Sequence, residues 1–280
     1  MNIAILSGKG GTGKTLVSTN LAMYMNANYI DTDVEEPNGF IFLKPNIINT
    51  KNIEVDIPYI EQQKCIKCFK CIEFCKFNSL AKTKREILVF EKLCHSCGGC
   101  KLVCPNDAIN YKKRFIGVIE EGKNSKINCK RGILNVGEPM ATKIIENLVS
   151  NTDVNKINII DSPPGTSCNV VNVLQKTDIA LLVTEVTKFG LHDLDRAVKL
   201  VRKFNMPFGV IINRVINKDN VIEKYCEENH INIVGKINYD KSIAQIYSKG
   251  ELLINYGEYE IIFKKLLQDV KEKLLCKYRY

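Results

Sequence analysis

The sequence predicts an α/β fold with a mostly parallel sheet, interrupted by a smaller α+β insert. Two observations carry this. Short apolar segments ending in polar or acidic residues alternate with amphipathic ones, the pattern of strands feeding helices in an open sheet. Between them, residues 58–111 hold eight of the twelve cysteines. The expected organisation is therefore one domain built from residues 1–57 and 112–280, with residues 58–111 as a second domain set into it. A chain of 280 residues is long for a single core, which suits this division.

The first element is an apolar strand over residues 1–6. Gly8, Lys9, Gly10, Gly11, Thr12, Gly13, Lys14 and Thr15 follow and fit the phosphate-binding loop pattern G-x-x-x-x-G-K-[ST] at every fixed position. A helix begins at Lys14. Such a loop between strand and helix points backbone N–H groups at phosphate, and the helix N-terminus adds its positive end. Lys14 is expected on the β- and γ-phosphates and the Thr15 hydroxyl on Mg²⁺, so the expected nucleotide is ATP. Residues 28–31 form a second strand ending in Asp31-Thr32-Asp33. At the carboxyl end of a strand beside the loop, Asp33 would orient the attacking water and Asp31 would support Mg²⁺ from outside its first ligand shell. The bland alternative is a solvated acidic turn.

A strand over residues 53–57, closed by Pro58, leads to the insert. Cys65, Cys68, Cys71 and Cys75 form a C-x₂-C-x₂-C-x₃-C run, and Cys94, Cys97, Cys100 and Cys104 repeat it 29 residues on, followed by Pro105. Bacterial ferredoxins carry these runs, and the fourth cysteine of each ligates the other cluster. One [4Fe–4S] cluster is therefore assigned to Cys65, Cys68, Cys71 and Cys104, and a second to Cys94, Cys97, Cys100 and Cys75. Zinc is the alternative, for which two C-x-x-C pairs would suffice. Lys76 stands where the first run would carry proline, and His95 is read as a neighbour, since the cysteine set is full. The insert has nine Lys/Arg against five Asp/Glu. Two oxidised clusters with four thiolates each carry about −2 apiece and roughly cancel that excess.

Strands are then expected over residues 115–119 and 132–136, a helix over 140–149, and an apolar strand over 157–161 whose terminal Asp161 would hold Mg²⁺ through water. In Ser162-Pro163-Pro164-Gly165-Thr166, Gly165 can bring its N–H to the γ-phosphate. Further strands are expected over 179–183 and 208–212, with a helix over 191–204 between them. Asn213 and Arg214 follow, and the Asn213 amide is placed to read the adenine edge. A closing helix over 257–280 has an apolar stripe at Ile262, Leu266, Val270 and Leu274; it is read as covering the sheet in preference to lying on a membrane. Of the remaining cysteines, Cys129, Cys168, Cys226 and Cys276, only Cys168 stands near the expected site.

Composition excludes several classes. Hydrophobic content of 45% and charged content of 25% are ordinary for a globular protein. No apolar run approaches a membrane span. The phosphate-binding loop begins within the first ten residues and leaves no room for a usual signal peptide, so a cytoplasmic location is expected, where many cysteines argue for metal over disulfides. The formal charge of +9 overstates basicity if the thiols bind metal, and no nucleic-acid partner is expected.

Lys9-Gly10-Gly11-Thr12-Gly13-Lys14-Thr15 resembles the deviant phosphate-binding loop of the MinD/ParA-type ATPases, whose extra lysine is Lys9 here. Asp31-Thr32-Asp33, Asp161-Ser162-Pro163-Pro164-Gly165 and Ile212-Asn213-Arg214 match the same superfamily, and with the cysteine insert the chain is similar to its members that carry an inserted ferredoxin domain. These are related to nitrogenase iron protein, to Mrp-type iron–sulfur carriers and, more loosely, to the amidating synthases of cobalamin precursors. The resemblance implies a P-loop NTPase that closes as an ATP-sandwich homodimer. Lys9 of one subunit would touch the phosphates held by the other, Asp33 would act as switch I, and Asp161 with Gly165 as switch II. Lys236-Ile237-Asn238 departs from relatives that carry proline there. The implied activity is ATP hydrolysis stimulated by a partner and coupled to electron transfer, the partner being a redox or metallocofactor client. The alternatives are an iron–sulfur carrier or maturation factor, although the C-terminal C-x-x-C of Mrp-type carriers is absent, and a spatial organiser on membrane or nucleoid.

Overall fold

A computed structural model describes residues 1–216 and 221–275; Cys276 and the last residues of the expected closing helix lie outside them. The chain runs β1 (Asn2–Leu6), α1 (Lys14–Met25), β2 (Asn28–Asp31), α2 (Gly39–Leu43) and β3 (Asn46–Ile60). The insert follows with α3 (Lys70–Phe74), β4 (Leu80–Lys82), β5 (Ile87–Val89) and α4 (Gly99–Leu102). Then come β6 (Ile109–Lys123), β7 (Asn128–Leu134), α5 (Ala141–Ser150), β8 (Asn158–Asp161), α6 (Cys168–Leu174), β9 (Ile179–Glu185), α7 (Lys188–Arg202) and β10 (Phe208–Val215). The last elements are α8 (Val221–Glu228), β11 (Ile233–Asn238), α9 (Lys241–Ser248) and α10 (Gly257–Val270), which ends in a π-helical turn.

One nine-stranded sheet has the order β11-β10-β9-β1-β8-β2-β7-β6-β3. Its first seven strands are parallel, which buries both faces and accounts for the continuous apolar runs of β1, β8 and β9. One core packs α5, α6, α7 and α8 on one face; a second packs α1, α2, α9 and α10 on the other. In α10 the buried residues are Tyr259, Phe263, Leu266 and Val270, so this helix covers the sheet. At the amino ends of the central strands, Asn158 donates to Asn2 at 2.8 Å, Asn28 to Asn158 at 3.0 Å and Asn128 to Asn28 at 3.3 Å, an amide chain that satisfies buried polar groups across four strands.

β3 and β6 form the antiparallel edge, paired from Asn46↔Lys123 to Ile60↔Ile109. The strand expected to stop before Pro58 runs through it, with Pro58 opposite Tyr111. Among the described residues β3 is an edge strand with no partner on its outer side, so the missing proline N–H is tolerated. The ribbon thus leaves the main sheet and carries the cysteine segment at its tip. That segment has its own core of Ile60, Cys71, Leu80, Ile87 and Ile109. The 29-residue repeat reappears in the backbone. Left-handed residues stand at Lys67 and Ser96, at Phe69 and Gly98, and at Asn78 and Asp107. The paired runs therefore fold alike around their thiols.

Val34, directly after Asp33, is packed across Gly132 of β7. A Cβ on Gly132 would lie 2.6 Å from Val34 Cγ1 and 2.5 Å from Ile144 Cγ2. Gly132→Ala is therefore expected to cost about 1–3 kcal/mol by overpacking, read as a lowered midpoint in thermal unfolding.

Candidate functional site

The carboxyl ends of β1, β8, β2, β9 and β10 meet around the glycine loop, where open parallel sheets bind their ligands. Gly11 (φ +77°) and Gly13 (φ +94°) adopt left-handed conformations that the loop's turn requires. Gly10, Gly11 and Gly165 have nothing within 4 Å of where a Cβ would stand, so the rim is open. The Thr12 hydroxyl is buried without a hydrogen-bond partner among the described residues. An open cradle with an unspent buried hydroxyl fits a phosphate group. Gly165 N–H is given to the Ser7 carbonyl at 2.9 Å, which draws the loop after β8 against the glycine loop.

Lys14 Nζ lies 2.8 Å from Asp161 Oδ1 and 3.9 Å from Asp33 Oδ2. Burial works against its ammonium, but Asp161, Asp33 and Asp31 outweigh that and hold its pKa above the ordinary lysine value. Asp161 also accepts from Ser18 Oγ at 2.9 Å and Tyr29 Oη at 3.0 Å. Asp31 accepts from the backbone N–H groups of Asp33 and Gly39, so it shapes the turn after β2 as well as facing Asp161. Burial, then the Asp161 charge, pushes the Asp31 carboxyl up to about 8. Burial likewise raises Asp33 to about 6, with Lys14 opposing. Three carboxyls thus crowd one lysine. Ser18 and Tyr29 escaped the sequence reading, though Tyr29 stands two residues before Asp31 and so on the same face of the strand.

Lys9 is turned back to its own chain, 2.5 Å from Glu185 Oε1, and Glu185 Oε2 accepts from Arg214 at 3.1 Å. Asn213 gives Nδ2 to the Thr12 carbonyl at 2.8 Å and its Oδ1 accepts from the Arg214 N–H, so its amide braces the loop. A hollow of about 780 Å³ opens beside Gly11 and Gly13, lined by Asn213, Arg214, Tyr239, Asp240, Ile243 and Tyr247 among others. The last four come from β11 onward and carry no local motif.

In the insert two hollows lie along the ribbon. The one at the tip, about 340 Å³, is lined by Cys65, Cys68, Cys71 and Cys104 together with Ile60 and Ile109. The one nearer the main sheet, about 480 Å³, is lined by Cys75, Cys94, Cys97 and Cys100 together with Asp56, Pro58 and Tyr111. Each contains three thiols of one run and the fourth of the other. The His95 ring, also in the second hollow, stacks on Phe77 at 3.8 Å. Burial pushes the Cys100 thiol up to about 11. Among the described residues no three His, Cys, Asp or Glu converge closely enough to hold a single metal ion. Cys168 is exposed at the start of α6, while Cys129 and Cys226 are buried core residues.

A family model described as the CobQ/CobB/MinD/ParA nucleotide binding domain matches residues 3–254, nearly the whole chain. The chain belongs to this family. It is a P-loop ATPase of the CobQ/CobB/MinD/ParA nucleotide-binding family. An uncharacterized protein of Methanocaldococcus jannaschii is 35% identical, over 92% of this chain and 93% of its own. The iron-sulfur cluster carrier protein of Pyrococcus abyssi is 23% identical, over 98% of this chain and 85% of its own. The septum site-determining protein MinD from Pyrococcus horikoshii, solved with Mg-ADP, superposes with a TM-score of 0.61 at 17% identity, covering 100% of this chain and 99% of that one. This last likeness is one of fold.

Proposed function

We propose that this ATPase couples its nucleotide state to one-electron transfer through two [4Fe–4S] clusters, held in residues 58–111 as a two-cluster ferredoxin-like domain. The observation that carries the reading is the crossed lining of the two hollows: Cys104 of the second run faces Cys65, Cys68 and Cys71, and Cys75 of the first faces Cys94, Cys97 and Cys100. Four thiols ringing a hollow, with no single point of convergence, suit a polynuclear cluster better than one zinc ion. Bound there, the clusters would supply one-electron redox chemistry.

At the nucleotide end, Lys14 and Thr12 would hold phosphate, Thr15 would ligate Mg²⁺, Asp31 and Asp161 would support the ion from its second shell, and Asp33 would position water. The hollow between Asn213 and Tyr247, which Arg214 also lines, would take the base. Two chains would close around ATP, with Lys9 leaving Glu185 to reach the partner's phosphates, and the domain 58–111 would meet a redox client. Neither a nucleic acid nor a membrane is assigned.

Cysteine substitutions test the crossed ligation. Cys104→Ser is expected to lose the same cluster as Cys68→Ser, and Cys75→Ser the same as Cys97→Ser, each lowering iron from about eight to about four atoms per chain in anaerobic preparations followed by electron paramagnetic resonance. If Cys75→Ser and Cys68→Ser instead removed the same signal, the crossing would be wrong. Coupling is tested by electron transfer to a low-potential acceptor with and without ATP; equal rates sink it. A second reading, delivery of iron–sulfur clusters, is favoured by the similarity to the iron-sulfur cluster carrier protein of Pyrococcus abyssi. It requires ATP-dependent cluster loss to an apo-acceptor, whereas the electron-transfer reading requires all eight irons to stay.

A further inference from the structure

One fully buried phenol stands where the two carboxyl-bearing strands meet. Tyr29 of β2 is 0% exposed, with its ring in the core that packs α1 and α2. Its hydroxyl lies 3.0 Å from Asp161 Oδ2 and 3.3 Å from Asp31 Oδ2. Asp161 is held on both of its oxygens. Lys14 Nζ is on Oδ1 at 2.8 Å, while Ser18 Oγ donates to Oδ2 at 2.9 Å beside Tyr29. The two oxygens thus divide: Oδ1 is turned to the phosphate-loop lysine and Oδ2 to hydroxyls. Asp31 is held from its far side, its Oδ2 accepting from the Gly39 N–H at 3.0 Å and its Oδ1 from the Asp33 N–H at 3.1 Å. Gly39 leaves room for the phenol, since a Cβ there would stand 1.9 Å from Tyr29 Oη.

Packing alone does not account for this hydroxyl. Phenylalanine would fill the same core, whereas a buried phenol brings a donor that must be satisfied. Tyr29 has one hydrogen and two carboxylate oxygens in reach. Asp31 and Asp161 are register partners on adjacent strands. Two carboxylates so placed repel in a site shielded from water. The Tyr29 hydroxyl stands between their Oδ2 atoms and touches neither the Asp161 oxygen that Lys14 holds nor the Asp31 oxygen that shapes the turn to Asp33.

We propose that Tyr29 is a positioning residue for Mg²⁺-nucleotide: it tethers Asp161 by Oδ2 and so keeps Oδ1 presented to the phosphate loop. The inference rests on the assignment of Asp161 to Mg²⁺ above and is independent of the iron–sulfur reading. When phosphate takes Lys14, Oδ1 gives up its cation and stands open toward the loop. The Tyr29 and Ser18 hydroxyls are on the other oxygen and stay in place through that exchange. Without the phenol, Asp161 would keep one tether and face Asp31 with no shared hydrogen. Its carboxylate could then turn about its own axis and would have to be ordered on binding. Groups that orient a metal's carboxylates from behind typically change metal affinity about ten- to a hundredfold.

The test is calorimetry of ADP binding with and without Mg²⁺, on the wild type and on Tyr29→Phe, which keeps the ring and removes the hydroxyl. Affinity for ADP alone is expected to stay within about threefold, while the gain in affinity on adding Mg²⁺ falls about tenfold. Because Tyr29 acts through Asp161, adding Tyr29→Phe to Asp161→Asn should change the remaining gain by less than about threefold. Tyr225→Phe is the matched control. It removes a tyrosine–carboxylate bond of the same 3.0 Å, to Asp195 on the opposite face of the sheet, and should leave the gain unchanged. A Mg²⁺ gain in Tyr29→Phe that stays within about threefold of the wild type would overturn the proposal, whatever happens to the melting midpoint. So would an equal loss in Tyr225→Phe, or a further loss of about tenfold in the double variant. A full Mg²⁺ gain in Asp161→Asn would instead fail the assignment of Asp161 to the metal, the reading beneath this one.

Discussion

Lys14→Met is expected to lose nucleotide binding by at least a hundredfold, the largest effect of any single change in this chain. The lysine supplies a charged hydrogen bond worth about 1.5–3 kcal/mol, and in this site it also offsets three neighbouring carboxyls that would otherwise repel a phosphate. Its nitrogen is already desolvated and lies 2.8 Å from Asp161, so binding exchanges one anion for another without a new burial cost. Methionine keeps the stem volume and removes the charge, leaving Asp161 with Ser18 and Tyr29 as side-chain hydrogen-bond donors among the described residues. The affinity is measured by calorimetry with ATP and Mg²⁺. A loss under threefold would mean that Lys14 stays with Asp161 in the bound state. The variant should also melt lower at neutral pH, because it leaves the buried Asp161 without its cation.

The second large effect is on protons. Asp31 rises to about 8 and Asp33 to about 6 in the folded chain, against an ordinary value of 3.8. A carboxyl whose folded pKa lies above its unfolded one keeps its proton longer when folded. Its contribution is then fully present below pH 3.8 and falls as pH rises, through 6 for Asp33 and 8 for Asp31. The nucleotide-free protein is expected to lose stability steadily from pH 4 to 8, and Asp31→Asn should flatten that slope in thermal melts. Ligands act on the same protons with opposite signs. ATP without Mg²⁺ draws Lys14 away and should cause proton uptake at pH 7. ATP with Mg²⁺ replaces protons by a divalent cation and should cause release. Calorimetry in buffers of different ionisation enthalpy reads both; the same sign in each case would contradict the carboxyl arrangement.

Much of this was legible in the residues. The glycine loop, β1, β2 and β8 announce themselves because phosphate binding and double-sided burial each impose a dense local pattern. The closing helix was readable as a cover, although the structure turns Tyr259 and Phe263 inward as well and leaves Ile262 only half-buried. Pro58 misled because a missing N–H forbids a central strand and is harmless at an edge, and edge status is a property of the assembled sheet. Asn213 shows a different limit: an amide at a strand end can turn toward a base or toward the loop, and only the 2.8 Å bond to Thr12 decides. Tyr239 and Tyr247 were invisible because the hollow they line is assembled from segments more than two hundred residues apart.

The β3–β6 ribbon also bears on how such a chain could arise and fold. Ile60 and Ile109 are paired neighbours, so the peptide departs and returns at a single rung of the ladder. Closing that circuit costs chain entropy that grows only as the logarithm of the length enclosed. To the nine-stranded sheet, forty-eight intervening residues are little different from a short hairpin turn. Strand order and register are settled on the near side of that rung, and Cys94 is the tip's contribution to the main core. The tip can therefore gain, lose or exchange its cargo as a cassette, with the ribbon as the standard fitting between them.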